Sequence, residues 1–550
     1  MPDLKLNELN DAREQPALRH GQSQPPRGLS WAAASAVASA RRAAGAVEPR
    51  ELWRRHRLIT ILVVISFLPR ILASLAFRPA LLTADSFLYM QEAANGTLGR
   101  IRPSGYSWFL DIFRPLPHTL LAVTTAQHLM GIATAVLVYG LLRYWGLPGW
   151  GASLAALPAL FDTRQIALES FILPDTLYGF ALLLAVALLL TKRTPRLWQC
   201  AVAGLLVAYV SLLRGNGIPL ALIFAAFILI RRVGWRAIAA AAAAFALPVL
   251  GYVLAFHASY GQYNLTSSDG IFLWSRTTSF ANCAIIKPPP ELAPLCPNLE
   301  KSVAPAGPAP AWSVSALLGT PTSADYLWAP DAWWRHDQHP GFNAYNDKLG
   351  RRFAVKAIEA QPLDYLRVSA RDVMLLFLQN DRPVTHATMS FTVQPHIAHL
   401  PSYYALDEQQ YAGSGSNTHL VQPYAYFLFL YQLPVYFPGV VFLLVVIAGL
   451  VGVLRKWRSW GGAAALPWTL AGVSIAAPAL LTQSLYRYTV VAIPLACLAA
   501  GLAFVRPDPK PAEAEAVLAG SEAAPGPAAA PPDPPDPPGT GPMRRGRPPG

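Results

Sequence analysis

Residues 173–191 read LPDTLYGFALLLAVALLLT, and residues 192–196, which follow directly, read KRTPR. The first segment is almost entirely apolar. An α-helix needs ~20 residues to cross ~30 Å of hydrocarbon, and this segment is long enough to do so. Similar runs recur along the chain, and we predict about ten spans, at 58–77, 119–142, 149–162, 173–191, 197–213, 216–231, 236–256, 425–454, 463–482 and 488–505. The sequence therefore predicts an α-helical polytopic membrane protein.

The composition excludes an ordinary water-soluble enzyme. Of the 550 residues, 53% are hydrophobic and only 14% are charged, whereas a soluble domain has roughly 25% charged residues. A net charge of +13 would suggest nucleic acid as the partner of a soluble protein. Here the basic residues lie at the ends of predicted spans, so we expect a lipid bilayer and no nucleic acid as the partner.

The basic clusters also predict the orientation. They precede span one and follow spans two, four, six, eight and ten, at positions 54–57, 143, 192–196, 231–236, 455–458 and 506–510. All of these positions fall on one side, and the positive-inside rule places both termini in the cytoplasm. Because the chain is rich in Ala, Pro and Arg, as in GC-rich bacteria, we predict a multi-pass protein of a bacterial plasma membrane.

Five regions follow from this topology. They are a disordered cytoplasmic tail (1–53), a catalytic transmembrane core (54–256) with outer loops 78–118 and 163–172, an extracytoplasmic loop domain (257–424), spans eight to ten (425–506) and a disordered Pro/Ala-rich cytoplasmic tail (507–550). In the long loop we expect a helix that breaks near Pro362. Cys283 and Cys296 share this loop, and an oxidising compartment would allow them to form a disulfide.

Carboxylates gather at the predicted outer face. Asp85 lies just beyond span one, and Tyr89 follows one helical turn later. Asp162, Glu169 and Asp175 lie in or beside the second outer loop, on the same side as Asp85. Convergent acids predict a general base, a metal site or both. Ordinary helix capping is the alternative for Asp85, and the helix dipole is the alternative for Asp175.

Two arginines depart from the cytoplasmic pattern of basic charge. Arg214 and Arg487 both lie at the predicted outer end of a span, and Tyr488 follows Arg487. The planar fork of donors on a guanidinium suits phosphate, and this position would let it hold a lipid phosphate whose tail stays in the bilayer. The alternative is an interfacial arginine that reaches water beside belt tyrosines.

Five short segments, taken in their order along the chain, match a known pattern. They are ADSFLYM (84–90), RPSGYSWFLDIF (102–113), ESFILPDTLYGFALLLA (169–185), LLRGNGIPLAL (212–222) and LYRYTVVAIPLACLAAG (485–501). Their order and their places in the topology resemble the polyprenyl-phosphate-dependent glycosyltransferases of the C-type membrane fold. That group contains the protein O-mannosyltransferases and the lipid A aminoarabinose transferase.

The resemblance implies transfer of a hexosyl or pentosyl group from a polyprenyl-phosphate donor to an extracytoplasmic acceptor, which is a glycan, a lipid or a protein. It places the catalytic base or a metal-associated acid at Asp85 and the second-loop acid at Asp175, with Glu169 or Asp162 as further candidates. The candidates for substrate binding are Arg487, Tyr488, Arg214, Tyr89, Arg102 and Tyr106. Many members pair two acids in the first loop, whereas Asp85 lies between Ala84 and Ser86. A divalent cation, Mg²⁺ or Mn²⁺, therefore stays an open alternative.

The chemistry of such a transfer matches these residue types. Phosphate leaves as a stable anion, so it requires charge stabilisation, which Arg487 or Arg214 would supply. The acceptor hydroxyl must lose its proton, and a positioned carboxylate contributes typically 10²–10⁴-fold to that step. We expect Asp85 to be this base in a single displacement that inverts the anomeric centre.

Two other classes of function stay open at this level. A secondary transporter also has many spans with charges, although carriers keep ionisable groups near the bilayer midplane. A non-catalytic subunit for binding or export of a polysaccharide would use the tryptophans of the long loop as sugar platforms. A large distance between Asp85 and Asp175 would favour the second of these.

Overall fold

The computed structural model describes residues 49–191, 194–297, 323–378, 391, 409–413, 418–456, 462–482 and 486–505. In chain order its elements are α1 (Pro49–Ala76), β1 (Phe77–Arg78), α2 (Ala84–Asn95), α3 (Gly105–Asp111), α4 (Thr119–Tyr144), α5 (Gly149–Phe161), α6 (Thr163–Ser170), α7 (Asp175–Leu190), α8 (Leu197–Leu213), α9 (Ile218–Ile230), α10 (Trp235–Tyr260), α11 (Asp269–Thr277), α12 (Cys283–Ile286), α13 (Ser323–Leu327), α14 (Trp333–His336), α15 (Ala344–Ala360), α16 (Pro362–Leu378), β2 (His419–Leu420), α17 (Tyr424–Gln432), α18 (Gly439–Arg455), α19 (Ala465–Leu481) and α20 (Tyr486–Ala503).

The apolar helices lie where the sequence predicts spans. Within the described residues, four helices are long and apolar enough to cross a membrane, namely Trp53–Ala76, Thr119–Tyr144, Trp235–Tyr260 and Gly462–Leu481. Shorter apolar helices accompany them, and these are α5, α7, α8, α9, α18 and α20. The chain is a multi-pass helical membrane protein, while the number of spans and their orientation stay predictions.

The structure differs from the predicted boundaries at two places. The predicted span 425–454 is two helices, because α17 ends at Gln432 and α18 begins at Gly439. Pro434 and Pro438 lie in or beside this break, and a proline removes a backbone donor and clashes with the preceding turn. The first helix begins at Pro49, inside the region predicted as a tail. Residues 1–48 and 506–550, and with them most of both predicted tails, lie outside the described residues.

Small residues let the helices of the bundle approach closely. A Cβ atom at Gly204 in α8 would lie 2.2 Å from the carbonyl oxygen of Ala241 in α10. At Gly105, the first residue of α3, a Cβ would lie 2.5 Å from the carbonyl oxygen of Leu212 in α8. Glycine permits such contacts, which replace the hydrophobic effect as the force between helices in lipid. As a result, α3 lies directly against the end of α8.

Short backbone pairings tie the ends of several helices together. Strands β1 and β2 are antiparallel, with Phe77 opposite Leu420. The backbone N–H of Leu81 donates to the carbonyl of Ser170 at 2.9 Å, and the N–H of Ile172 donates to the carbonyl of Leu81 at 3.0 Å. These bonds hold the start of α2 beside the start of α7.

A second core lies in the long connection between α10 and α17. Its buried side chains include Ile271, Trp274, Trp334 and Phe353. At least two of the tryptophans are therefore packed in this core and not exposed on its surface. Cys283 and Cys296 are joined by a disulfide beside this core, with their Cα atoms 6.2 Å apart. The predicted break near Pro362 is confirmed, because α15 ends at Ala360 and α16 begins at Pro362.

Candidate functional site

Helix α2 carries the first acidic candidate. The hydroxyl of Ser86 accepts a hydrogen bond from the backbone N–H of Thr83 at 2.9 Å, which caps the helix without Asp85. Residues three and four apart share a helix face, so Asp85, Tyr89 and Glu92 lie along one side of α2. Asp85 is therefore not the residue that caps α2, and the capping alternative is wrong.

Asp85 is held by two arginines from distant parts of the chain. Arg102 places Nη2 3.3 Å from Oδ1, and Arg487 places Nη2 3.1 Å from Oδ2. Burial by itself would raise the pKa of Asp85, but the positive charges of Arg102 and Arg487 outweigh it and hold the pKa below its ordinary value. Asp85 is therefore an ionised carboxylate at neutral pH.

Asp175 forms the second pair. It is the first residue of α7 and is fully buried, and its Oδ1 accepts a short hydrogen bond from Nη2 of Arg214. Arg214 follows directly on α8, where the backbone turns extended at φ −152° and ends the helix. Oδ2 of Asp175 has no hydrogen-bond partner among the described residues.

Tyr488 joins the two pairs. The guanidinium carbon of Arg214 lies 4.7 Å from the centre of its ring, and that of Arg487 lies 5.3 Å from it. Both distances fall within the range of cation–π attraction. We call the group Asp85, Arg102, Asp175, Arg214, Arg487 and Tyr488 the arginine site.

The arginine site holds one positive charge more than negative charge, since three arginines face two aspartates. In addition to Oδ2 of Asp175, the Nε atom of Arg487 is buried without a hydrogen-bond partner among the described residues. Buried polar groups are normally hydrogen-bonded, and each exception calls for an explanation such as a catalytic role, an ion or a water molecule. The geometry and the charge together favour an anion with several acceptor oxygens.

Tyr89 and Tyr106 lie behind the arginine site. Both side chains are buried, and their rings meet edge to face at 5.1 Å. The hydroxyl of Tyr106 donates to Oε1 of Gln127 in α4 at 2.8 Å. Tyr106 is therefore a packing residue one layer from Asp85 in this arrangement, while Tyr89 lies on the same helix face as Asp85.

Glu169 lies in a different cluster. Both of its oxygens bind the guanidinium of Arg70, at 2.8 and 2.9 Å, and they also contact Nδ1 of His128 at 2.9 Å and Nε2 of Gln165 at 3.0 Å. Glu169 is fully buried and Arg70 almost so. We call these residues the Arg70–Glu169 cluster. The structure does not bring Glu169 into the arginine site.

Asp162 also has a local role. It precedes α6, and its Oδ1 accepts hydrogen bonds from the backbone N–H groups of Arg164 at 3.4 Å and Phe437 at 3.2 Å. It therefore caps α6 and ties it to the segment before α18. Of the four predicted acids, the structure brings Asp85 and Asp175 together with Tyr488 between them.

Sequence reasoning missed three buried polar residues that the structure makes prominent, namely Arg70, His128 and Glu92. The signal for Arg70 was present, because it is the one charged residue in the apolar run 58–77, and an ionisable residue there is unusual. Glu92 accepts a hydrogen bond from the hydroxyl of Ser107 at 2.6 Å. Burial raises the pKa of Glu92 to about 8, against the opposing effects of Ser107 and Arg102.

The residues of the arginine site do not fit a divalent cation. Among the described residues, no group of three or more His, Cys, Asp or Glu side chains is arranged to hold a metal ion. Mg²⁺ and Mn²⁺ prefer several oxygen ligands, but both Asp85 oxygens already face guanidinium groups. The positive charge of Arg102 and Arg487 would repel a cation at the same place.

No protein-family model and no curated protein matches the chain. Several solved structures are similar to it at low identity, among them the following three. The S. cerevisiae protein O-mannosyltransferase Pmt1-Pmt2 complex, bound to the sugar donor, has 15% identity and a TM-score of 0.30 over 42% of this chain and 37% of that chain. ArnT from Cupriavidus metallidurans, bound to undecaprenyl phosphate, has 13% identity and a TM-score of 0.34 over 81% and 77%.

The third is the archaeal oligosaccharyltransferase AglB from Archaeoglobus fulgidus, in complex with an inhibitory peptide and a dolichol-phosphate. It has 14% identity and a TM-score of 0.38 over 86% of this chain and 55% of that chain. The chain thus matches about a third of the yeast protein and about half of the archaeal one. All three are glycosyltransferases of the C-type membrane group that the sequence motifs resemble.

Proposed function

We propose that this protein is a membrane glycosyltransferase that moves a sugar from a polyprenyl-phosphate donor to an acceptor hydroxyl. The observation that carries the proposal is the convergence of Arg102, Arg214 and Arg487 on two aspartates at one end of an apolar helix bundle. The surplus positive charge suits a phosphate, and the apolar helices suit the polyprenyl tail that is attached to it.

The arginines also provide a way for donor binding to raise the pKa of Asp85 before the proton transfer. In the free protein, Arg102 and Arg487 hold the pKa of Asp85 low, and a weak base is a poor proton acceptor. A donor phosphate would compete for the same guanidinium groups and neutralise part of their charge. The pKa of Asp85 would then rise, so donor binding itself prepares the base.

The transfer is a single displacement. The oxygen of the acceptor hydroxyl forms a bond to the anomeric carbon while the bond from that carbon to the phosphate oxygen breaks. The hydroxyl proton passes to Asp85, and the bonding electron pair leaves with the phosphate, which the arginines stabilise. The anomeric configuration inverts. Asp175 holds Arg214 in place for this role.

The predicted topology is the basis for the side of the membrane in this proposal. With both termini in the cytoplasm of a bacterium, the arginine site faces the extracytoplasmic side, where the loop domain 257–424 would lie beside it. A glycan, a lipid and a protein all offer a hydroxyl of the required kind. The donor phosphate is the part of the proposal that the site chemistry supports most directly.

Donor consumption by purified protein tests the proposal. The protein in lipid nanodiscs is incubated with a panel of synthetic polyprenyl-phosphate hexoses and pentoses, and the loss of each donor is followed by mass spectrometry. We expect slow hydrolysis of at least one donor even without an acceptor, and no loss with the Asp85→Asn variant. Stable donors throughout the panel, with and without cell-envelope extract as a source of acceptor, would contradict the proposal.

A secondary transporter is the second candidate, and Arg70 is the observation that favours it, because charges within apolar runs are typical of carriers. However, every nitrogen of its guanidinium is bound to Glu169 or to backbone carbonyls. Uptake of a sugar or lipid-linked sugar into sealed vesicles without its consumption would support the transporter. The binding-subunit alternative expected Asp85 and Asp175 to lie apart, and it loses that support.

A further inference from the structure

The segment that carries Arg102 is docked against the beginning of the long connection. The backbone N–H of Ser267 donates to the carbonyl of Arg100 at 2.7 Å, and the hydroxyl of Ser268 donates to the carbonyl of Ile101 at 2.9 Å. The side chain of Ile101 packs against the second core. The backbone immediately before Arg102 is therefore held by residues that lie beyond α10.

The side chain of Arg102 extends from this contact into the arginine site. Its guanidinium carbon lies 4.8 Å from the centre of the Phe272 ring in α11, while its Nη2 atom reaches Asp85. An aromatic face attracts a guanidinium without accepting any of its in-plane N–H groups. Phe272 can therefore hold Arg102 and still leave its donors available to Asp85 and to a phosphate.

The other two arginines are supported differently. Arg214 lies at the end of α8 and Arg487 at the start of α20, and both contact Tyr488 within the bundle. In the described part of the chain, Arg102 is the arginine of the site whose guanidinium rests on a side chain that packs against the second core. One of the three phosphate-binding charges thus depends on a region outside the bundle.

We propose that Phe272 is a positioning residue that holds the Arg102 guanidinium beside Asp85, so that docking of the second core completes the anion-binding site. This inference rests on the proposed function, because it assigns to the long connection a part in donor binding. Loss of Phe272 should lower affinity for the donor phosphate and act on Asp85 only through Arg102, since Asp85 and its own backbone are unchanged.

A double-variant cycle with Arg102 tests the inference in the full-length protein. We expect Phe272→Ala and Arg102→Ala each to raise the KM for the donor about tenfold, and Phe272→Ala to change kcat by no more than Arg102→Ala does, because it acts through Arg102. The double variant should be no worse than Arg102→Ala, because the ring has no other role in the site. Phe272→Tyr, which keeps the aromatic face, should restore the wild-type KM.

Two further variants separate positioning from general stability. Phe280→Ala is the matched control, because Phe280 is also half-buried beside the second core but faces Tyr365 rather than Arg102, and it should leave the KM unchanged. Phe272→Leu keeps an apolar side chain that fills the space and should raise the KM as Phe272→Ala does. Additive effects of Phe272→Ala and Arg102→Ala, or a wild-type KM for Phe272→Leu, would overturn the inference.

The same cycle measured by thermal unfolding keeps this inference separate from the proposed function. If wild-type protein consumes no donor, the proposed function fails, and the unfolding midpoints of the four proteins in the cycle still report whether Phe272 and Arg102 are coupled. Non-additive midpoints would support the contact as a positioning contact. Strictly additive midpoints would overturn it regardless of the outcome with donors.

Discussion

Two clusters of buried charge lie in the same bundle, and they differ in how completely their hydrogen bonds are satisfied. In the Arg70–Glu169 cluster, all three guanidinium nitrogens and both carboxylate oxygens have partners between 2.7 and 3.1 Å, and Nε2 of His128 is the buried atom without a partner among the described residues. In the arginine site, one oxygen of Asp175 and one nitrogen of Arg487 have none among the described residues. The ion pair at the centre of the first cluster is therefore fully hydrogen-bonded, whereas the second group has unpaired atoms on an acid and on an arginine.

Residue type alone does not distinguish the two clusters, and this difference in hydrogen bonding is one basis for our proposal that the arginine site binds a phosphate. Both clusters contain an arginine and a carboxylate at predicted span ends or within spans. The Arg70–Glu169 cluster has a charge-balanced ion pair at its centre, and His128 and Gln165 add further contacts to Glu169. The arginine site keeps an excess positive charge and partly exposed side chains on Arg102 and Asp85, at 24% and 16%. Removal of one partner from a fully hydrogen-bonded buried pair is strongly destabilising, whereas the arginine site is the group that we propose to bind a ligand.

The largest effect that would sharpen this comparison is expected at Asp85. Asp85→Asn removes the proton acceptor, so donor turnover with an acceptor should fall about 10²–10⁴-fold per folded molecule, with the folded fraction measured by thermal unfolding because Arg102 and Arg487 also lose an ionic partner. Asp111→Asn is the matched control, because Asp111 lies in the same predicted outer loop with a 42% exposed side chain. Comparable turnover in the two variants would remove Asp85 from the chemistry.

The Arg70–Glu169 cluster should respond in the opposite way, with a loss of stability rather than of turnover. Arg70→Met leaves the Glu169 carboxylate buried without its main partner, so the free energy of unfolding should drop by about 3–5 kcal/mol. Specific activity of the protein that remains folded should stay close to wild type. Thermal unfolding in detergent and donor turnover are the two measurements.

Adding Glu169→Met to Arg70→Met removes the unpaired charge and should recover much of that stability. A folded Arg70→Met protein that has normal stability but no turnover would break the comparison, because it would place this cluster in the functional site.

Arg487→Lys tests phosphate recognition by the planar fork. Lysine keeps the charge but not the two parallel donors, so donor turnover should drop about 10- to 100-fold with normal expression and membrane insertion. Arg114→Lys, at an exposed arginine in the first loop, should have no effect. An interfacial anchor would tolerate lysine. Wild-type turnover in Arg487→Lys would therefore leave Asp85 as the base and exclude phosphate binding by the Arg487 guanidinium.

The pH dependence of kcat/KM reports on Arg102. Because Arg102 and Arg487 lower the pKa of Asp85, the carboxylate stays ionised as the pH falls, and kcat/KM should lose activity through Asp85 only at strongly acidic pH. Arg102→Gln removes one of the opposing charges, and burial then raises the pKa. The acid limb of the profile should move to higher pH in this variant. An unchanged limb would mean that Arg102 does not control Asp85.

The last effect, at Glu92, concerns stability and its dependence on pH. Burial raises its pKa to about 8, so the folded protein keeps a proton that the unfolded chain has already lost above its ordinary value of 4.5. Stability therefore falls as the pH rises from about 4.5 to about 8. Glu92→Gln should flatten the unfolding midpoint over this interval. A slope equal to that of wild type would assign the pH dependence to other groups.

The sequence by itself determined the membrane class and most apolar helices. A run of about 20 uncharged residues must satisfy its backbone internally in lipid, which leaves a helix as the answer whatever surrounds it. The same local rules located Asp85 beyond span one and Asp175 beside a proline at a helix start. Pairing of Cys283 with Cys296 also followed from two cysteines that share one loop.

Only the tertiary structure decided which charges meet. Arg487 binds Asp85 across 402 residues, and Tyr488 contacts arginines from two helices, because these contacts depend on how each helix is rotated in the bundle. An apolar helix that is hydrophobic all round carries no periodic signal of that rotation. For the same reason Glu169, a further candidate after Asp175, binds Arg70 instead, and hydropathy alone shows Arg70 only as a charged residue within the first span.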